Sequence, residues 1–301
     1  MRTADSMNDT GVVTVGGVKP VKSTLVTKAL VALCITFSFW FFLPVFFSLY
    51  SSWIEKDSYY SHGILVPVIS GLLVWALRDR LASIPIKPSL VGFAVVVPSI
   101  FLVILFNLAN GSGMQSLVLP VFIYGFVITI FGAEIAKALW FPIGYIYFMC
   151  PLPGFMLNSI SFRIQVWSTI GATEMLRVLG LDASRQGVNI SLPNVEVMVG
   201  APCSGFRLLI SLIAFSVLFV YLIEGPLSGK ILLLALTLPL SVVLNSIRIL
   251  MIAIVGEYMG TETMHAFHDY SGYIMLLLAF VVFYFLSRLF GCRKFNSTLL
   301  P

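Results

Sequence analysis

Three side chains far apart in the sequence have the types that acyl-transfer chemistry uses: Cys203, Arg248 and His268. A thiolate attacks a carbonyl, an imidazole takes and returns the proton, and a guanidinium stabilises an oxyanion or holds a carboxylate. Cys203 stands in Gly200-Ala-Pro-Cys203-Ser-Gly205, where Pro202 and Gly205 predict a turn into a helix start. Backbone N–H groups and the positive end of a helix dipole at that point favour a thiolate. Arg207, one turn along the same face, adds positive potential. Arg248 lies inside an apolar run with Asn245 one turn earlier on the same face. His268 opens another apolar run, within His265-Ala-Phe-His268-Asp269-Tyr-Ser-Gly272. Taken singly, each has a plainer reading: an inert buried thiol, an arginine snorkelling to an interface, an interfacial histidine.

The elements that must position these groups are membrane helices. The chain has 301 residues and a mass of 33.2 kDa, with 59% hydrophobic residues, 10% charged residues and a mean hydropathy of +1.01. Ordinary globular domains carry roughly 25% charged residues. So few charges cannot cover a water-facing surface, and most of this surface must face lipid. A cytosolic enzyme, a secreted disulfide scaffold and a nucleic-acid-binding domain are excluded on that ground. The four cysteines, Cys34, Cys150, Cys203 and Cys292, form no CxxC pair, so neither a zinc knuckle nor a disulfide framework is indicated.

A crossing helix needs about 20 mostly apolar residues. Eight stretches qualify: 29–49, 63–77, 90–108, 114–131, 138–150, 206–223, 231–255 and 271–289, the second and fifth being short. The first is a retained anchor rather than a cleaved signal. Lys and Arg set the orientation. With the N-terminus inside, Arg2, Lys19, Lys22, Lys28, Arg78, Arg80, Lys87, Lys137, Lys230, Arg288, Arg293 and Lys294 fall on the cytoplasmic side. Only Lys56, Arg163, Arg177 and Arg185 fall outside. The expected fold is an all-α polytopic membrane protein of about eight transmembrane helices, N-in and C-in. Residues 1–28 form a polar, disordered cytoplasmic N-terminus, 29–290 the transmembrane domain and 291–301 a cytoplasmic tail.

The long segment from Pro151 to Gly205 then lies outside. Met156, Ile160, Ile164, Trp167, Met175 and Val178 recur at helical spacing with Asn158, Ser161, Gln165 and Ser168 between them. That pattern suits a helix lying in the interface, or one packed under other spans. Val188, Ile190 and Leu192 alternate with polar residues, then Val195, Val197 and Val199 follow Pro193-Asn194. This predicts a short β-hairpin that delivers the chain to Cys203.

Topology changes the odds for the three reactive groups. The start of span six, the outer third of span seven and the start of span eight are expected at one depth on the outer face. Ionisable groups in a membrane are costly and mark function. A transporter or polysaccharide-export component is the rival reading, but it predicts charges spread through the bilayer depth and has no need of Cys203. A metal-dependent enzyme using His62, His265, His268 and Asp269 has a thin ligand set and no HExxH motif, so no metal or cofactor is expected.

The run from Ala201 to Arg207, the pair Asn245 and Arg248, and His268-x-x-x-Gly272-Tyr resemble the exosortase/archaeosortase family of membrane transpeptidases. So do Tyr59-Tyr60-Ser61-His62-Gly63 at the second span, and Pro151-Leu-Pro153 and Leu192-Pro193-Asn194 ahead of the cysteine. The resemblance extends over nearly the whole chain. It implies an intramembrane cysteine peptidase that cuts C-terminal sorting signals, each comprising a short motif, a transmembrane helix and a basic tail. Cargo passes through a thioester to an acceptor, at the outer face of the cytoplasmic (inner) membrane. By that resemblance Cys203 is the nucleophile, Arg248 the oxyanion or substrate arginine and His268 the acid/base. Arg207, Asn245 and His62 are candidate substrate-binding residues, and His265 is a lower-ranked candidate base. Partners are expected to be membrane lipid, signal-bearing substrate proteins and, since about a dozen residues follow the last span, any accessory domain as a separate chain. An association with exopolysaccharide is a family-level expectation. Tyr273 stands where the family pattern leads one to expect Trp.

Overall fold

The computed structural model describes residues 25–55, 58–109, 113–200, 203–292 and 294–295. Most of the expected N-terminal region and tail lie outside the described residues, as do Lys56, Ala201, Pro202 and Arg293. By contacts the chain divides into 1–41 and 42–301. In the first unit the opening turns of helix α1 (Leu25–Ile54) expose Leu33, Phe37, Phe39 and Trp40, a composition suited to lipid rather than water.

The second unit is mostly helical. After a short 3₁₀ turn (Ser61–Ile64) come α2 (Leu65–Ala76), α3 (Arg78–Ser83), α4 (Phe93–Leu108), α5 (Met114–Phe131), α6 (Ala133–Ala138), α7 (Trp140–Tyr145) and α8 (Gly154–Val178). A three-stranded antiparallel sheet follows: β1 (Ser184–Gln186), β2 (Asn189–Ser191) and β3 (Glu196–Met198), in that order. Helix α9 (Phe206–Leu222), β4 (Ile223–Glu224), α10 (Leu227–Leu289) and β5 (Lys294–Phe295) complete the chain.

Four helices among the described residues are long and apolar enough to cross a membrane: Thr36–Ile54, Leu90–Leu108, Met114–Phe131 and Leu227–Leu289. A fifth arises if Trp140–Met149 and Gly154–Val178, bent by 77°, form one crossing. The count differs from eight for identifiable reasons. The second and sixth apolar runs form shorter helices, Ser61–Ala76 and Phe206–Leu222, and the fifth, 138–150, holds only α7 and a 3₁₀ turn (Ile146–Met149) after the end of α6. The seventh and eighth runs share the 63 residues of α10, which is two helices meeting at Gly260 (φ 85°, ψ 169°). Left-handed backbone of this kind is open to glycine at little cost. The chain reverses there. Arg248 before the break meets Ser271 and Gly272 after it, 23 and 24 residues further along. Both limbs, 227–259 and 261–289, run past the ends of the apolar stretches read from the sequence.

Helix α8 buries a mixed stripe in which small residues outnumber large ones. Ser161, Ser168, Thr169, Ala172 and Thr173 are buried together with Ile164 and Leu176, while Met156, Ile160, Phe162, Trp167, Ile170 and Val178 are exposed. Small and hydroxyl-bearing residues let helices approach closely where lipid removes the drive to bury apolar ones. The approach is tightest at Gly171, where an added Cβ would lie 2.6 Å from Ser246 Oγ of α10.

The sheet docks on α8 and α10. Ile190, Val197 and Val199 pack with Ala172, Leu176, Ile249, Ile252 and Ala253 in one apolar cluster that also contains Cys203. The β2–β3 turn is pinned by Asn194, whose backbone N–H and Nδ2 donate to the Glu257 carboxylate at 3.0 and 2.8 Å. At the far end of the helices, β4 pairs with β5, and Cys292 packs against Gly225 and Gly229. The bundle of α9 and the two limbs of α10 is therefore tied at both ends.

Gly171→Val should lower the melting temperature in detergent by an amount corresponding to about 1–3 kcal/mol, the usual cost of overpacking. Gly144→Ala, at a helical position where a Cβ meets nothing within 4 Å, should leave it unchanged. Equal melting temperatures for all three proteins would show that the α8–α10 approach is not a tight constraint.

Candidate active site

Cys203 is held from three sides. Its N–H donates to the Gly200 carbonyl at 3.0 Å, closing a turn. Its carbonyl accepts from Asn245 Nδ2 of α10 at 3.0 Å, inside the protein. Two residues on, Gly205 (φ 79°) is the N-cap of α9. A Cβ there would stand 2.7 Å from Asn245 Cγ and Nδ2, so glycine is needed for both its backbone sign and its contact. Asn245 is fully buried, and an amide in that position is retained at reasonable cost only if it is hydrogen-bonded. The expected helix start is present: Gly205 caps α9, Phe206 N–H donates to Ser204 Oγ at 3.3 Å, and the positive end of the helix dipole lies two residues from Cys203.

Cys203 Sγ contacts His268 Nε2, joining segments 65 residues apart in sequence. Cys203 is 8% exposed and the His268 side chain 26%, so the pair is sheltered yet reachable. His268 Nδ1 faces Asp269 Oδ1 at 3.4 Å. That carboxylate is largely exposed, so the contact biases the ring tautomer rather than adding much stability. The His268 turn is fixed by Arg248: Nε donates to Ser271 Oγ at 2.9 Å and Nη2 to the His268 carbonyl at 3.2 Å. Ser271 Oγ donates to the same carbonyl at 2.8 Å. A thiol from the turn ahead of α9 thus meets an imidazole from the second limb of α10, and a guanidinium from the first limb holds the backbone that carries the imidazole. A thiol touching a base is what attack on a carbonyl requires.

A cavity of about 370 Å³ opens on this pair, bordered by residues 196–200, Ile249, Ile252, Thr261, Met264, His265 and His268. His265 is exposed on its wall while His268 makes the contact with sulfur. Arg207 sits half-buried in the first turn of α9. His62 goes elsewhere: its Nδ1 lies 3.2 Å from Ser211 Oγ, two turns down α9 from the Cys203 end, and its ring stacks on Tyr60. It fastens the 59–64 turn to α9. Among the described residues no group of three His, Cys, Asp or Glu side chains is placed to hold a metal ion.

Sequence reasoning missed Ser271 and Asp269 as neighbours of the reactive pair. Both lie within three residues of His268, so the signal was the polar run itself, Asp269-Tyr-Ser271, at a place where an apolar run begins. It also missed Gln165, whose Nε2 donates to the Val199 carbonyl and ties α8 to the segment ahead of Cys203.

Residues 53–285 match a family model described as transmembrane exosortase. No curated protein and no solved structure matches the chain.

His268→Ala should slow alkylation of Cys203 by iodoacetamide at neutral pH by at least tenfold, because the thiol loses its proton acceptor. Glutathione added to the same sample serves as the reference thiol, and mass spectrometry of the Cys203 peptide and of glutathione reads both rates. An unchanged Cys203 rate would mean that the imidazole does not activate the sulfur.

Proposed function

The chain belongs to the transmembrane exosortase family, and from that premise we propose that it is a cysteine transpeptidase cutting C-terminal sorting signals at the outer rim of the inner membrane. The observation that carries this reading is the Cys203 Sγ–His268 Nε2 contact, made by residues whose only common feature in the sequence is their expected depth. Support also comes from what is buried. The fully buried polar residues among the described ones are Ser, Thr and Asn, and the charged groups drawn inward, Arg207 and Arg248, lie at the start of α9 and against the His268 carbonyl. A transport pathway built from charges spread through the bilayer has no counterpart in that set.

The substrate's transmembrane helix docks laterally among the spans and brings its motif to Cys203. Sγ attacks the carbonyl carbon while the thiol proton passes to His268 Nε2. The C–N bond of the tetrahedral intermediate then breaks, and the leaving amine takes that proton. The thioester is resolved by an acceptor hydroxyl or amine, or by water, which gives its proton to His268 as the C–S bond breaks and the thiolate is released. Arg248 holds the 268–271 turn in place and contributes positive potential beside the oxyanion. Asn245 positions the nucleophile through its carbonyl, and Arg207 supports the positive field at the start of α9.

Crossings by α1, α2, α4, α5, α6–α7, α9 and the two limbs of α10 restore the eight-span reading, with the cytoplasmic side at the β4–β5 end. The distribution of Lys and Arg supports it. Helix α8 and the sheet then form the outer part of the site.

Cys203→Ala should abolish cleavage of a co-expressed reporter ending in a motif, an apolar helix and a basic cluster, as read by immunoblot. Full processing by that variant would sink the mechanism. Arg248→Lys should lose at least tenfold of the cleavage rate, since a point charge cannot reach Ser271 Oγ and the His268 carbonyl in the geometry of a planar fork. Wild-type turnover would reduce Arg248 to a snorkelling side chain.

A further inference from the structure

The strand that leads into Cys203 has one edge paired and one edge open. Leu192 N–H donates to the Val195 carbonyl at 2.9 Å and Val199 N–H to that of Val188 at 3.1 Å. Antiparallel ladders alternate, and the register pairs Ile190 with Val197. Val197 therefore turns its N–H and C=O toward β2, while Glu196 and Met198 turn theirs away. In the order β1-β2-β3 no strand lies on that side among the described residues. Residues 196–200 are consecutive and face alternately, yet all five border the cavity that holds Cys203 and His268. A cavity running along an edge, rather than under one face, produces that pattern.

The two edges of the sheet are treated differently. The outer strand β1 presents Ser184, Arg185 and Gln186, all exposed and polar, which discourages pairing. The β3 edge presents exposed Glu196 and, at 72% exposure, Met198, a flexible apolar side chain of the kind used where varied partners are bound. The cavity also has an apolar lining, from Ile249, Ile252 and Met264.

We propose that the substrate segment around the scissile bond binds as a fourth strand on the free edge of β3, in the Cys203 cavity. This deepens the transpeptidase reading and rests on it. Main-chain groups of the substrate bond to those of Glu196 and Met198, an interaction that any sequence can make. Alternate side chains of the motif point into the apolar lining and supply the selectivity. At roughly 3.3 Å per residue, the stretch from 196 to 200 accommodates about four substrate residues.

Proline substitutions test this directly, because Met198 and Arg185 both direct their N–H away from β2. Met198→Pro removes a donor on the cavity edge, and Arg185→Pro removes the equivalent donor on the opposite edge. Met198→Pro should cut reporter cleavage by at least tenfold, with Arg185→Pro at the wild-type rate. A second measurement does not depend on how the sheet tolerates proline. In a Cys203→Ala background, Met198→Cys is oxidised against a reporter carrying single cysteines scanned through the motif. Disulfides forming at every second reporter position are expected. Wild-type cleavage by Met198→Pro, cross-linking without alternation, or a Met198→Cys homodimer in place of reporter adducts would each overturn the proposal. Cleavage that persists in Cys203→Ala would instead overturn the transpeptidase reading beneath it.

Discussion

The reversal of α10 at Gly260 is the constraint on which the rest of the site depends. It folds a 63-residue helical segment into two limbs and brings residue 248 level with residues 271 and 272. Arg248 then bridges the limbs. Its two hydrogen bonds, to a serine hydroxyl and to the carbonyl of the histidine itself, fix the turn that carries His268. Desolvating a guanidinium costs several kcal/mol if its donors go unmet. Meeting them on the opposite limb makes that cost a source of registration between the limbs. A slip by one turn, about 5.4 Å along the helix, would take His268 away from the sulfur.

Cys203 is fixed independently of that bridge, through its own backbone. Asn245 holds its carbonyl, Gly205 lets the chain come close enough for that bond, and the sheet brings residues 196–200 alongside. Asn245 and Arg248 sit one turn apart on the same limb, one serving the thiol and the other the imidazole. A single helical face therefore sets the relative position of the Cys203 sulfur and the His268 ring. The cavity wall comes from the same limb, since Ile249 and Ile252 line it.

Much of this was legible because the membrane makes polar residues conspicuous. Cys203, Arg248 and His268 stood out as reactive types interrupting apolar runs, and the expectation that they share one level came from counting spans; the structure brings Cys203 to His268 and Arg248 to the His268 carbonyl. The alternation of valines and isoleucines around Pro193-Asn194 led to the expectation of a hairpin but not to its register, in which Ile190 pairs with Val197. Strand β1 was not, because Ser184, Arg185 and Gln186 are all exposed and carry no alternation. The buried face of α8 was also hidden. Of the apolar residues at helical spacing Ile164 turns inward, but Met156, Ile160 and Trp167 stay exposed, and the close approach to α10 is made at Gly171. The limbs of α10 outrun their apolar stretches because Glu257, Thr261 and His265 read as a span boundary, whereas helical hydrogen bonding continues regardless of side-chain polarity. The place of His62 against Ser211 could not be read from spacing, since it depends on how two separate helices pack.

The central claim is that a carbonyl group of the substrate becomes covalently attached to one sulfur. Acid-quenching the membrane-embedded enzyme during turnover of a signal-bearing reporter, then mass analysis of its peptides, addresses that claim most directly. The account predicts an acyl adduct on the peptide containing Cys203, labile to hydroxylamine and present only while reporter is being processed. Turnover with Cys203 unmodified throughout, or with the adduct on another residue, would contradict it.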